Sequence, residues 1–165
     1  NKVNSETAAL IDHKVYCLCG DGDLEEGISY EACSIAGHLN LNNLILIYDA
    51  NRITIEGSTD LSLSENIRGR FESQNWEVLE IDGHNFDQID TAITTAKTST
   101  KPVLIIANTI IAKGGGKMEG SHHAHGAPLG NDVIKAAKIS AGFDPEKTFV
   151  VEEDVLENFS SEISF

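Results

Sequence analysis

VYCLCGDGDLEEGISYEACSIAGHLNLNNLILIYDAN, residues 15–51, holds two short apolar runs, Val15–Cys19 and 44–48, the first ended by Gly20-Asp21-Gly22 and the second by Asp49. Runs of four to eight apolar residues bounded by turn residues suit buried parallel strands. Between them Ile28, Ala32, Ile35, Ala36 and Leu39 recur at helical spacing, with Gly37 and Asn40 near a stop. The stretch therefore reads as strand, helix, strand.

Working outward, the alternation repeats. A helix is expected over 63–74, a strand over 77–81, a helix over Phe86–Thr98 with Ile89, Ala92, Ile93 and Ala96 on one face, and a strand over 103–109. This order predicts an α/β fold, a parallel sheet with helices on both faces joined by right-handed crossovers. Ligands of such sheets bind at the carboxyl ends of the strands, and Asp21, Asn51 and the segment after Thr109 all fall at that edge. Residues 113–131, KGGGKMEGSHHAHGAPLGN, carry many glycines and no apolar period, as functional loops do. A helix is expected over 132–141, and the acidic stretch from Asp144-Pro145 onward has no assigned structure.

Composition bounds the function. The 165 residues, 41% hydrophobic, suit one domain with its own core. With 26 acidic against 12 basic residues the formal charge is −14, which repels nucleic acid and anionic membrane surfaces. An anionic small molecule can still bind where a metal ion and backbone N–H groups make the local potential positive. Cys17, Cys19 and Cys33 are odd in number, form no CxxC pair, and indicate a reducing, cytoplasmic setting; Cys17 and Cys19 are assigned to opposite faces of the first strand. No run of about 18 apolar residues offers a membrane span, and the opening segment lacks the apolar core of a signal peptide. The first residue is Asn1, so the chain is expected to be a piece of a longer polypeptide.

Asp21 and Asn51, one carboxylate and one amide oxygen at two neighbouring strand ends, suit a hard divalent cation bridged to a diphosphate. By itself a Gly-Asp-Gly is equally well a tight turn with the Asp as helix cap. His122, His123 and His125 could by type hold zinc or nickel, although no cysteine ligand is close in sequence. His13, His38 and His84 read as caps, turn residues or core hydrogen-bond partners, and Glu25 as part of a solvated helix face.

GDGDLEEG at 20–27, YDANRITIEG at 48–57, Asp82-Gly83-His84, and SHHAHGAPLG at 121–130 come in this order. Together they resemble the diphosphate-binding domain of the transketolases, over residues 11–142. The resemblance implies the thiamin diphosphate-binding fold, thiamine diphosphate as cofactor, and Mg²⁺ or Ca²⁺ held by Asp21, Asn51 and the main-chain carbonyl of Ile53. Gly20 and Gly22 become cofactor contacts, Ile111 an apolar one, and His125 a residue reaching both the diphosphate and the reacting end of the substrate. Glu26 and Glu31 match carboxylates that link the two active sites of a homodimer, with Glu26 taken as catalytic and cofactor-binding. His122 matches a nearby position, and His123 reads as solvent-exposed. The implied reaction moves a two-carbon ketol group from a ketose phosphate to an aldose phosphate in the pentose phosphate pathway. Residues 1–165 would be one domain, the diphosphate and metal half, needing a pyrimidine-binding domain in the same or a separate chain before it turns over. A deoxyxylulose phosphate synthase, or a non-catalytic subunit of a split enzyme, are the rival readings; the Asp82-Gly83-His84 and HGAPLG strings favour the transketolase resemblance over the synthase.

Overall fold

The computed structural model describes residues 11–162; most of the opening segment discussed above lies outside them. Its order is β1 (Val15–Cys19), α1 (Asp21–Glu25), α2 (Gly27–His38), β2 (Leu44–Ala50), β3 (Ile53–Thr54), β4 (Gly57–Ser58), α3 (Ile67–Ser73), β5 (Glu77–Asp82), α4 (Phe86–Thr98), β6 (Val103–Asn108), α5 (Asn131–Ser140) and α6 (Glu153–Glu162). Short 3₁₀ turns lie at Thr59–Leu61, Gly116–Met118 and His122–Ala124.

The main sheet is parallel, in the order β1-β2-β6-β5, and β3 pairs with β4 as a small hairpin. The path runs outward from β1 to β2, jumps to the far edge at β5, then returns to fill the gap with β6. Right-handed crossovers require that reversal to put the returning helix on the other face. The core divides accordingly. Leu46, Tyr48, Ala50, Leu104 and Ile106 pack with Leu24, Ala36, Phe71 and Trp76 on the face covered by α1 to α3. Ile45, Val103 and Ile105 pack with Ala92 and Ala96 of α4 on the other. The central strand β6 is buried from Val103 to Ala107, as its unbroken apolar run demands.

Capping sets the helix starts. Asn66 accepts from the Gly69 N–H at 3.0 Å and Asn85 from the Gln88 N–H at 3.1 Å, satisfying donors that the first turns leave free. The Asn66 cap starts α3 four residues later than the apolar pattern suggests. The Asp82-Gly83-His84 string works as a clasp: the His84 N–H donates to Asp82 Oδ1 at 2.9 Å, and His84 Nε2 accepts the Ile110 N–H at 2.9 Å. A Cβ on Gly83 would stand 2.5 Å from Thr109 Cγ2, so glycine lets β5's exit lie against β6's.

Two expectations change. Cys17 and Cys19 line one cavity together with Cys33, not opposite faces, because side chains two apart on a strand point the same way. Burial pushes the Cys19 thiol up to about 12 and raises Cys33 as well, so both are poor nucleophiles. The apolar runs of β1 and α2 are not buried as their composition suggests. Leu18 is 78% exposed, and Ile28, Ile35 and Leu39 face outward, while α2 meets the core through Ala36 and Gly37. β1 is an edge strand with no neighbour on its outer side among the described residues. The acidic stretch left unassigned contains α6.

The contact between α2 and the turn after α3 is close enough to test. A Cβ on Gly37 would lie 1.7 Å from the Gln74 carbonyl oxygen and 3.1 Å from Trp76 Cδ1. Gly37→Ala is expected to cost about 3 kcal/mol in urea unfolding of the complete polypeptide. A loss below about 1 kcal/mol would mean that the two segments do not touch in this way.

Candidate functional site

β1 and β2 are in register with Cys19 opposite Tyr48, so β2 runs two residues beyond β1 before Asn51 leaves it. The chain leaving β1 turns at Gly20 into the five-residue α1, whose first residue is Asp21. Gly20 N–H donates to Asp23 Oδ2 at 2.8 Å, closing that turn. Asp21 is thereby set against the end of β2. It is 3% exposed, and its two oxygens are both engaged: Tyr48 Oη donates to Oδ1 at 2.5 Å and the Arg52 N–H donates to Oδ2 at 3.1 Å.

The second strand end is shaped by one unusual residue. Arg52 has φ +62°, left-handed backbone that costs a non-glycine residue free energy. That turn aims the Arg52 N–H at Asp21 and lets Asn51 Oδ1 accept the Ile53 N–H at 2.9 Å. Ile53 then starts the hairpin with Ser58, and the Thr59 N–H closes it on the Arg52 carbonyl at 3.1 Å.

Gly20, Asp21, Gly22, Glu26, Asn51, Ile53 and His125 all line one cavity of about 600 Å³. Five of the seven come from the two strand ends, Glu26 follows α1, and His125 reaches the cavity from the loop after the His122–Ala124 turn, 72 residues beyond Ile53 in sequence. Glu26 occupies the break between α1 and α2, in extended conformation, where the sequence suggested one helix. Ile111 does not line the cavity; it lies in the loop after β6, where its carbonyl accepts the Gly120 N–H at 2.9 Å. Glu31 lies on α2, exposed and away from the cavity. The rings of His122 and His123 stand 4.1 Å apart outside it. Among the described residues no three His, Cys, Asp or Glu side chains are grouped to hold a metal ion, so the histidine string does not form a zinc-type site here.

Asp23, Glu25, Thr54, Ile55, Glu56 and Ser62 also line the cavity. Glu25 reads from sequence as part of a solvated helix face, and the structure puts it at the cavity instead; the other five, and Tyr48, which reads only as an apolar strand residue, were missed. The lining holds five carboxylates, Asp21, Asp23, Glu25, Glu26 and Glu56, and neither Lys nor Arg. A diphosphate entering alone would be repelled; one accompanied by a divalent cation would not. Asp21 carboxylate, Asn51 amide oxygen and the Ile53 carbonyl are hard oxygen donors, and only one of the three carries charge, which leaves room for phosphate oxygens in the coordination shell. A Cβ on Gly22 meets no protein atom within 4 Å, so packing does not demand glycine there; only a ligand in the cavity would. The residues present fit a cation-bridged diphosphate.

Burial raises the Asp21 carboxyl above the ordinary Asp range, against the Tyr48 and Arg52 hydrogen bonds, which lower it; the charge on Asp49 adds to the rise. Burial and the bond to Asp21 push the Tyr48 hydroxyl up, so it stays a donor. A carboxyl whose folded-state pKa exceeds its unfolded value holds its proton more tightly when folded. Stability is then lost as pH rises through that interval and is not regained at neutral pH. In cation-free buffer, Asp21→Asn is expected to raise the urea midpoint at pH 7, with the gain shrinking as pH falls through the carboxylate range. An advantage that does not change with pH would contradict a buried charge at this position.

Comparison with known proteins places this geometry in a family. The family model described as transketolase, thiamine diphosphate binding domain, matches residues 1–164. A transketolase of Staphylococcus aureus is 44% identical over 97% of this chain, which spans 24% of that relative's length. The crystal structure of transketolase from Campylobacter jejuni superposes with a TM-score of 0.88 at 60% identity, over 91% of this chain and 24% of its own. A transketolase from Pichia stipitis, solved in complex with sedoheptulose-7-phosphate, superposes with a TM-score of 0.86 at 41% identity, over 90% of this chain and 22% of its own. The chain belongs to the transketolase family, in its thiamine diphosphate-binding domain.

Proposed function

We propose that the complete polypeptide is a transketolase of the pentose phosphate pathway, moving a two-carbon ketol group from a ketose phosphate to an aldose phosphate. Residues 1–165 act in it as a single domain that holds the diphosphate of thiamine diphosphate and its cation. The observation that carries this reading is the convergence of Gly20, Asp21, Gly22, Asn51, Ile53 and His125 on one acidic cavity at the carboxyl edge of the sheet. Thiamine diphosphate, when bound, supplies the carbon–carbon bond chemistry.

The chain's own residues bind and orient. Asp21, Asn51 and the Ile53 carbonyl hold Mg²⁺, a role for which Ca²⁺ is also chemically suited. Gly20 and Gly22 let backbone approach the phosphates. His125, exposed at the cavity, donates to the diphosphate and moves a proton at the reacting oxygen of the substrate. Glu26, at the helix break, joins the cavity to the second active site of a homodimer. A pyrimidine-binding domain in the same or a separate chain completes each site. The 24% share of the Staphylococcus aureus relative's length and the outward apolar residues of β1 and α2 support that requirement. Sugar phosphates as substrates are supported by the sedoheptulose-7-phosphate bound to the Pichia stipitis transketolase. The three free cysteines support a cytoplasmic setting.

Titration calorimetry on the complete polypeptide tests the reading. Thiamine diphosphate is expected to bind with Mg²⁺ and not with chelator, and Asp21→Ala to abolish the cation dependence; undiminished binding in that variant would remove the metal assignment. His125→Ala is expected to lower kcat about 10²- to 10⁴-fold with the unfolding temperature little changed, because the side chain is exposed. An unaltered rate would return His125 to a surface role.

A further inference from the structure

Among the described residues, Tyr48 is the buried hydroxyl that touches Asp21 from the protein interior. It is 5% exposed, packs within the cluster of Leu24, Leu46, Phe71 and Trp76, and does not line the cavity. Its hydroxyl therefore meets Asp21 from behind. A buried tyrosine hydroxyl needs a partner, and here it donates to Asp21 Oδ1 at 2.5 Å while the Arg52 N–H occupies Oδ2 at 3.1 Å. Each carboxylate oxygen has two acceptor directions. With one direction on each oxygen taken, by Tyr48 from the core and by Arg52 from the turn after β2, the carboxylate cannot rotate freely about its Cβ–Cγ bond, and its remaining acceptor directions are fixed.

We propose that Tyr48 is a positioning residue for the cation: its hydroxyl locks the Asp21 carboxylate in the orientation that presents an oxygen to the ion. This rests on the reading of Asp21 as a cation ligand given above. The strand register makes the device possible, since Cys19 pairs with Tyr48 and the chain reaches Asp21 two residues later. Arg52, in its left-handed turn, is the matching donor on the other oxygen. The two donors differ in what a substitution can remove. The Arg52 N–H belongs to the backbone and survives a change of side chain, whereas the Tyr48 hydroxyl is deleted by one atom in Tyr48→Phe.

The test uses the complete polypeptide with Mn²⁺ as the probe ion, its free concentration read by electron paramagnetic resonance in the presence of thiamine diphosphate. Tyr48→Phe is expected to weaken Mn²⁺ binding about 10- to 100-fold, the range for loss of a group that orients a metal ligand. Leu46→Ala serves as control. It loosens the same core, has no hydrogen bond to Asp21, and is expected to bind Mn²⁺ as the wild type does. Mn²⁺ affinity within twofold of wild type in Tyr48→Phe overturns the proposal. Equal weakening in Leu46→Ala, or a Tyr48→Phe protein that does not fold, also overturns it by tying Tyr48 to the core alone. Asp21→Asn separates the two levels. Undiminished Mn²⁺ binding in that variant removes the cation reading itself, whereas its loss there beside retention in Tyr48→Phe removes only the role of Tyr48.

Discussion

The parallel pairing of β1 with β2, Cys19 against Tyr48, is the constraint from which the site follows. A slip of one residue would turn Tyr48 away from the face that carries Leu46 and Ala50, and Asp21 would lose its partner. The register is held by burial on both sides of β2, since Ile45 belongs to one cluster and Leu46 and Tyr48 to the other. Given that register, the short turn at Gly20 has little freedom, and Asp21 arrives beside both Tyr48 and the Arg52 amide. The left-handed backbone at Arg52 is the local cost of bringing a main-chain donor to the same carboxylate.

Around that buried carboxylate the electrostatics are lopsided. Five acids line the cavity without Lys or Arg, and the whole chain carries −14. Such a surface resists a bare anion and concentrates cations, so a diphosphate would enter it more readily with a cation than alone. The Asp82-Gly83-His84 clasp acts on a different part of the same edge. By holding the Ile110 amide it fixes where the chain leaves β6, and so the root of the long loop that returns His125 to the cavity.

The outward apolar residues form a second theme. Leu18 on β1, Ile28 and Ile35 on α2, Leu39 just after it, and Leu156 and Phe159 on α6 are exposed. An isolated soluble domain rarely exposes so many large apolar side chains. The chain spans about a quarter of the length of its Staphylococcus aureus relative.

Local chemistry, legible in the sequence, set the alternation of strands and helices, the apolar face of α4, the glycine-rich loop, and the motifs at the strand ends, because each depends on residues a few positions apart. Contacts between distant residues were not legible. That Tyr48 grips Asp21, that Glu26 breaks the helix in two, that Ile111 stands off the cavity while Glu56 joins it, and that Cys17 and Cys19 share a face with Cys33 were decided by register and packing. The physical reason is that a side chain's type records how well it buries or bonds, but which partner it meets is fixed only when the fold brings together residues distant in sequence, as it does Tyr48 and Asp21, 27 apart.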